Sequence, residues 1–119
     1  MAKMIHKRFE SPDEIRVFEK GRVELVKLGE GMVGRMTLEP GWRWSQHVKP
    51  IANTSLCESP HFAYHISGRM HFVMEDGTEF EAGPGEVIML TGRHNAWVVG
   101  NETVVIVDWS GVKDYAEKR

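Results

Sequence analysis

The second half of the chain alternates short apolar segments with glycine-containing turns, and this alternation restricts the possible folds more than any other feature. Asp76-Gly77 separates two segments of alternating polarity, which predicts a tight β-hairpin. Further turns at Gly83-Pro84-Gly85 and at Gly100 separate three more segments. With two alternating segments between residues 23 and 38, roughly eight short strands follow one another, which predicts an antiparallel sandwich or barrel of the all-β class.

One short helix is expected before these strands. Residues 11–14 read Ser-Pro-Asp-Glu, in which serine can cap a helix, proline suits the first turn and the acids suit the positive end of the helix dipole. Ile15 and Phe18 fall three positions apart on one helical face, and Gly21 ends the segment. We therefore expect a short N-terminal helix that packs across one face of the barrel.

The composition is that of one ordinary globular domain. Of 119 residues, 27% are charged and 41% hydrophobic, the formal net charge is −2, and the basic residues are scattered. These values argue against disorder and against a basic surface for nucleic acid. The apolar runs are too short to span a bilayer, residues 1–6 lack a signal-peptide core, and the single cysteine fits a reducing compartment. We expect a cytoplasmic single domain over residues 1–119, with its core barrel at about 22–110 and no nucleic-acid or membrane partner.

Three separated histidines, His47, His61 and His94, each lie near the end of a predicted strand. Imidazole is the commonest metal ligand in proteins, and a barrel can bring residues far apart in sequence to one mouth. The pattern therefore indicates a metal site inside the predicted barrel.

The segment from Pro40 to Asp108 resembles the small single-domain cupins, whose fold is a jelly roll, also called a double-stranded β-helix. The first cupin motif runs glycine, five residues, His-x-His, three or four residues, glutamate, six residues, glycine. In this chain five residues separate Gly41 from His47, and six residues separate His61 from Gly68. The resemblance implies the cupin fold and a metal in the barrel.

The second cupin motif runs glycine, five residues, Pro-x-Gly, two residues, histidine, three residues, asparagine. Gly85, the apolar segment after it and His94 resemble this motif, with His94 two positions early. Val98 stands where the family has asparagine. The metal ligand at this position of the family therefore corresponds to His94.

The first motif allows two alignments around an insertion at residues 50–59. In one alignment His47 is the first histidine, Lys49 replaces the second, and His61 stands where the family has glutamate. Counting back from Gly68 instead puts Cys57 near the place of the second histidine and Ser55 near that of the first. Both alignments remain open at this stage.

The expected ligands are His47, His61 and His94, with Cys57 as a candidate fourth. Imidazole and thiolate suit a mononuclear divalent transition metal such as zinc, iron, nickel or copper. His65 shares a strand face with His61 but lies about 13 Å along the strand, too far for metal–nitrogen bonds of about 2.0–2.1 Å to reach both. His65 is therefore expected to line the barrel. We expect Cys57 to tune the site and not to act as a nucleophile.

Two further residues, Arg43 and Tyr64, are expected beside the substrate with His65. Alternation places Arg43 on the inward face with His47, where it can meet a substrate carboxylate, and turns Trp42 and Trp44 outward. An outward pair of tryptophans forms an apolar patch, which predicts a homodimer.

The resulting functional hypothesis is a metal-binding cupin that acts on or binds a small organic molecule in its barrel. The resemblance implies activities such as those of a metal-dependent dioxygenase or isomerase, and the fold alone does not choose among them. The alternative is a non-catalytic cupin module that binds or senses a small molecule.

Overall fold

The structure is a computed structural model that describes residues 4–110 and 115–116. Within these residues nine strands and two single-turn helices are present, in the order β1 (Glu14–Phe18), β2 (Gly21–Leu28), β3 (Gly31–Leu38), α1 (Trp44–His47), α2 (Lys49–Ala52), β4 (His61–Ser67), β5 (Arg69–Met74), β6 (Glu79–Ala82), β7 (Val87–Leu90), β8 (His94–Val99) and β9 (Val104–Asp108). The prediction of an all-β protein is confirmed.

Two antiparallel sheets face each other across the core. The larger sheet has the strand order β1-β2-β3-β9-β4-β7, and the smaller has the order β6-β5-β8. In β8 and β9 every second side chain is buried, as the alternating geometry of a strand requires. The core therefore lies between the sheets and is built from one face of each.

The predicted N-terminal helix is wrong, because residues 14–18 form β1, which pairs antiparallel with β2. The carboxylate of Asp13 does not cap a helix. It accepts a hydrogen bond from the backbone N–H of Lys27 at 2.7 Å, on the neighbouring strand. Ile15 and Val17, both β-branched, point to the solvent side, and Phe18 enters the core. Pairing with β2 therefore stabilises a strand here, although residues 11–14 taken alone favour the start of a helix.

The expected outward pair of tryptophans is also wrong. Trp42 and Trp44 are each only 2% exposed and belong to the core. The chain becomes helical at Trp44, so the alternation of an extended strand does not continue through this segment. Arg43 points away from them, with its guanidinium 4.1 Å from the centroid of the Trp97 ring.

Strand β4 positions the candidate site. It lies between β9 and β7, and its alternation buries His61, Ala63 and His65 while Phe62 and Tyr64 face outward. Because β4 and β9 are antiparallel, the beginning of β4 lies beside the end of β9. The beginning of β8 in the opposite sheet reaches the same end of the sandwich.

None of the helices in the described residues is both long enough and apolar enough to cross a membrane.

Candidate metal centre

Three side chains that can ligate a metal converge where β4 and β8 begin. The Sγ atom of Cys57 and one ring nitrogen each of His61 and His94 lie within 4.8 Å of one another. All three residues are buried, and the two imidazole centroids are 5.1 Å apart. The fold thus joins one loop residue and one residue from each sheet in a single cluster.

Asp108, the last residue of β9, sets the orientation and the tautomer of His61. Its Oδ2 accepts a hydrogen bond from Nδ1 of His61. Its Oδ1 accepts from the backbone N–H groups of Phe62 and Ser110 at 3.1 and 2.9 Å. Because an ionised carboxylate only accepts, Nδ1 of His61 carries a proton, and Nε2 is the ring nitrogen left for the cluster.

Backbone contacts hold the other two donors. The N–H of Cys57 donates to the carbonyl of His94 at 2.8 Å, and the N–H of His94 donates to the carbonyl of Cys57 at 3.1 Å. This isolated bridge draws the loop before β4 into the core. Nδ1 of His94 donates to the carbonyl of Gly92 at 3.0 Å, which leaves Nε2 of His94 as the ring nitrogen for the cluster.

The electrostatics of the cluster favour a thiolate. Burial raises the pKa of Cys57, but hydrogen bonds with His61 and His94 outweigh burial and lower this pKa to about 6. Burial likewise lowers the pKa of His61, but hydrogen bonds with Asp108 and Cys57 raise it to about 9. Metal binding requires a deprotonated thiol, and these contacts provide one near neutral pH.

This donor set fits a transition metal ion. One thiolate and two imidazoles suit zinc, iron, nickel or copper. The second nitrogen of each ring donates to a carboxylate or a carbonyl, as metal-ligating histidines commonly do. Ligand atoms around a tetrahedral ion lie about 3.3–3.7 Å apart, so the present separations, none above 4.8 Å, require movements of at most about 1.5 Å. Three protein donors leave a fourth position for water or substrate.

His47, the third expected histidine, lies outside this cluster. Its Nδ1 accepts a hydrogen bond from the backbone N–H of Arg43 at 3.0 Å. Its Nε2 faces Glu19, whose Oε1 lies 3.8 Å away. The structure therefore brings His61, His94 and Cys57 together and leaves His47 at the end of α1.

The three residues expected beside a substrate do not line the cavity next to the cluster. His65 is completely buried in the core, its ring centroid 6.3 Å from that of Phe72. Tyr64 points outward from β4, and Arg43 stacks on Trp97. Arg43, expected to meet a substrate carboxylate, is therefore not among the described residues that line this cavity.

A small, mainly apolar cavity adjoins the three donors. The space open to the centres of water molecules is about 30 Å³. Its walls come from both sheets and include Met36, Phe72, Ala96 and Ile106. This space holds about two water molecules beside the three donors, and its walls are largely hydrocarbon.

Asp108 and Tyr115 also line this cavity, and the sequence analysis missed both. A signal for Asp108 was present, because alternation places it on the same face as Val104 and Ile106 at the end of an apolar segment. Tyr115 has its ring centroid 5.9 Å from that of His61. No pattern near Tyr115 in the sequence predicts that contact.

No protein-family model matches the sequence, and no curated protein matches it either. Solved structures do match. A protein of unknown function from Rhizobium leguminosarum is 19% identical, with a TM-score of 0.62, over 92% of this chain and 97% of its own. A polyketide cyclase from Streptomyces resistomycificus is 18% identical, with a TM-score of 0.61, over 99% of this chain and 82% of its own.

A sugar phosphate isomerase described as a cupin, from Silicibacter pomeroyi, is 16% identical, with a TM-score of 0.60, over 87% of this chain and 73% of its own. At these identities the likeness establishes the fold. The chain therefore has the cupin fold, and the fold expected from its motifs is confirmed.

Proposed function

We propose that this protein is a mononuclear transition-metal cupin in which Cys57, His61 and His94 hold the ion. The observation that carries the proposal is the arrangement of the two histidines. Each donates Nδ1–H to an oxygen away from the cluster, to Asp108 in one case and to Gly92 in the other, and each leaves Nε2 as the nitrogen for the cluster. Hydrogen bonds of this kind fix a histidine for metal binding.

The cavity beside the donors is the proposed binding place for a small organic molecule. A bound metal supplies Lewis acidity there or, if it is iron, oxygen activation. The protein surrounds the molecule with apolar walls and excludes water from it. The neighbours with this fold include a cyclase and an isomerase, so a metal-dependent isomerase or dioxygenase and a non-catalytic binding module share the same scaffold.

The metal content of protein purified without an affinity tag tests the proposal. We expect one first-row transition ion per chain by elemental analysis, and its loss when His61 and His94 are both replaced by alanine. His47→Ala is the matched control, because it removes an imidazole outside the cluster and should leave the metal content unchanged. If His47→Ala removes the metal and the double variant retains it, the ligand assignment is wrong.

Cys57→Ser separates a thiolate ligand from a bystander. We expect the variant to fold and to retain the ion with lower affinity, because a serine hydroxyl is a poorer ligand than a thiolate for zinc or iron. In cobalt-substituted protein the intense thiolate-to-metal charge-transfer absorption should disappear in Cys57→Ser and persist in His47→Ala. Retention of that absorption in Cys57→Ser would remove Cys57 from the ligand set.

A second candidate function follows from the same contacts. Asp108, His61 and Cys57 form a carboxylate–imidazole–thiol series like that of a cysteine nucleophile with its base. Two imidazoles adjoin the thiol, which supports a nucleophile against the sequence-based expectation that Cys57 only tunes the site. Rapid alkylation of Cys57 in protein that contains no metal, with loss of a measured hydrolase activity, would favour this second function.

We further propose that the protein is a homodimer that pairs through the outer face of β4 and β7. Apolar side chains are exposed together there: Phe62, Tyr64, Ile66, Val87, Met89 and Trp109. The register pairs Phe62 with Met89 and Tyr64 with Val87, so the side chains are contiguous. β7 is also an edge strand of its sheet, and an edge strand is a ready site for pairing with another chain. Isologous pairing is the commonest way to cover such a face.

A single charge on this face tests the dimer. We expect Met89→Lys to be monomeric by light scattering and the unaltered protein to have twice the chain mass of 13.6 kDa. Val17→Lys is the matched control, because Val17 on the opposite edge strand is as exposed as Met89, each at 73%. A monomeric unaltered protein, or dissociation of both variants alike, would contradict this interface.

A further inference from the structure

The cavity beside the three donors is too small for an organic molecule while its walls stay in place. Its space for the centres of water molecules is about 30 Å³, which holds about two waters. The donors themselves are buried, with exposures of 2–8%. A molecule larger than water therefore reaches Cys57, His61 or His94 only after part of the wall has moved.

Nearly all of this wall is held by backbone hydrogen bonds. Most of its residues belong to paired strands of the two sheets. Trp44 lies in α1, and Cys57 is bridged to His94. The carbonyl of Trp42 accepts a hydrogen bond from the backbone N–H of Val98 at 3.0 Å. Moving any of these parts would break backbone pairing, which is unfavourable.

Tyr115 is held in a different way. It lines the cavity and is 4% exposed. Its ring packs edge-on between the edge strand β1 and the donors, with its centroid 6.3 Å from that of Phe18 and 5.9 Å from that of His61. Its carbonyl accepts a hydrogen bond from a side chain of β1, Nη1 of Arg16, at 2.7 Å. The ring can therefore move away from the donors without breaking the pairing of any strand.

We propose that the ring of Tyr115 is the gate of the metal centre and sets the size of the molecules that reach Cys57, His61 and His94. With the ring in place, the space beside the donors takes water. With the ring displaced, the volume that it fills joins the cavity, and a small organic molecule has room beside the donors. This proposal deepens the proposed function and rests on it for the role of the donors.

The single cysteine makes the gate measurable, because Cys57 is the only thiol of the chain. Methyl and benzyl methanethiosulfonate both transfer an alkylthio group to a thiolate, with release of methanesulfinate, and they differ in size. The rate constants for protein as purified are divided by those for urea-unfolded protein. The ratio between the two reagents then cancels the effect of a bound ion on the thiol. We expect the unaltered protein to favour the methyl reagent by at least about tenfold, because the benzyl group requires a wider opening.

Tyr115→Ala should remove most of this preference. The benzyl reagent should react at least about tenfold faster than with the unaltered protein, because an opening no longer has to displace a buried ring. Tyr115→Phe retains the ring and should retain the preference for the methyl reagent. A preference that persists in Tyr115→Ala, or that disappears in Tyr115→Phe, would overturn the proposal.

Ile106→Ala is the matched control for the loss of a wall side chain. Ile106 lines the same cavity and is 5% exposed, and its strand β9 is paired on both sides, with β3 and β4. Its truncation also leaves a vacancy and lowers stability, but the surrounding strands stay paired, so the preference for the methyl reagent should persist. A loss of preference as large as that in Tyr115→Ala would mean that any vacancy admits the benzyl reagent, and the gate would be refuted.

Arg16→Met decides the matter if Tyr115→Ala does not fold. It retains the ring and removes the guanidinium that holds the Tyr115 carbonyl. The benzyl reagent should react at least about threefold faster, as expected for the loss of one hydrogen bond, and the methyl reagent should gain less. An unchanged rate for the benzyl reagent would contradict the gate.

The metal content of the same samples separates this proposal from the proposed function. Protein that holds no ion but shows the preference and its loss in Tyr115→Ala refutes the metal centre and retains the gate. Protein that holds one ion per chain and shows no preference retains the metal centre and refutes the gate.

Discussion

His61 and His65 lie on the same face of the same strand, four positions apart, and have opposite surroundings. His61 donates to Asp108 and contacts Cys57, and these contacts raise its pKa to about 9. His65 is fully buried, and neither of its ring nitrogens has a hydrogen-bond partner among the described residues. Burial lowers the pKa of His65, although the charge of Glu86 opposes this shift.

The difference shows that burial alone does not decide what a histidine does. At the beginning of β4, the end of β9 and the bridge to β8 supply polar partners, and His61 becomes part of a donor cluster. Four residues later the opposite sheet supplies the ring of Phe72, and His65 serves as a neutral packing residue. We therefore expect changes near His65 to affect stability, and changes near His61 to affect metal affinity.

The largest effect should come from Gly68, just beyond the His65 end of β4. Gly68 has φ +73°, and a Cβ there would lie 2.8 Å from Cα of Val104 and 2.9 Å from the carbonyl oxygen of Thr103. Gly68→Ala should lower the free energy of unfolding by about 3 kcal/mol, through backbone strain and overpacking. Urea unfolding of metal-free protein measures this loss.

Gly100→Ala is the control for Gly68→Ala, because Gly100 also has a positive φ, of +86°, but has open space where the Cβ would lie. It should lose only about 1–2 kcal/mol. Equal losses in the two variants would mean that the contact with β9 does not constrain this turn. Folded Gly68→Ala protein should still hold its metal, which would sharpen the contrast between the two ends of β4.

Asp108→Asn should weaken metal binding by about 10- to 100-fold. The backbone N–H groups of Phe62 and Ser110 would hold the amide oxygen, so the amide NH₂ would face Nδ1 of His61. His61 would then accept at Nδ1 and carry its proton on Nε2, the nitrogen needed for the metal. Competition with a chelator measures the affinity, and an unchanged affinity would mean that Asp108 does not set the tautomer.

His65→Leu should raise stability by about 1 kcal/mol near neutral pH, because it removes buried polar nitrogens that have no partner. The gain should grow below about pH 6.5, the ordinary pKa of histidine. In that range the unfolded chain takes up a proton that folded His65 resists, so the unaltered protein loses stability as the pH falls.

Urea unfolding of both proteins at two pH values checks the effect of His65→Leu, with metal content as the control that should not change. A variant that is less stable at both pH values would show that His65 has a polar partner. Such a result would remove the contrast with His61.

Much of the fold could be predicted from the sequence, because turn residues and the alternation of apolar and polar residues are short-range patterns. The Asp76-Gly77 hairpin and the apolar segments on either side of Gly100 predicted strands that the structure contains. The same local reasoning failed where a tertiary partner changed the outcome. Residues 14–18 form a strand because they pair with β2. Trp44 is buried because the chain forms a helical turn where an extended segment was expected.

The sequence by itself indicated an all-β chain with the cupin fold and placed His61, His65 and His94 at inward or strand-end positions. Periodicity and turn chemistry act over a few residues, so a single chain displays them directly. Only the tertiary structure decided which of these residues meet. Asp108 and His61 are 47 positions apart, and the register between their strands depends on how both sheets close around the core. That long-range packing selects Cys57 over His47 as the third member of the cluster.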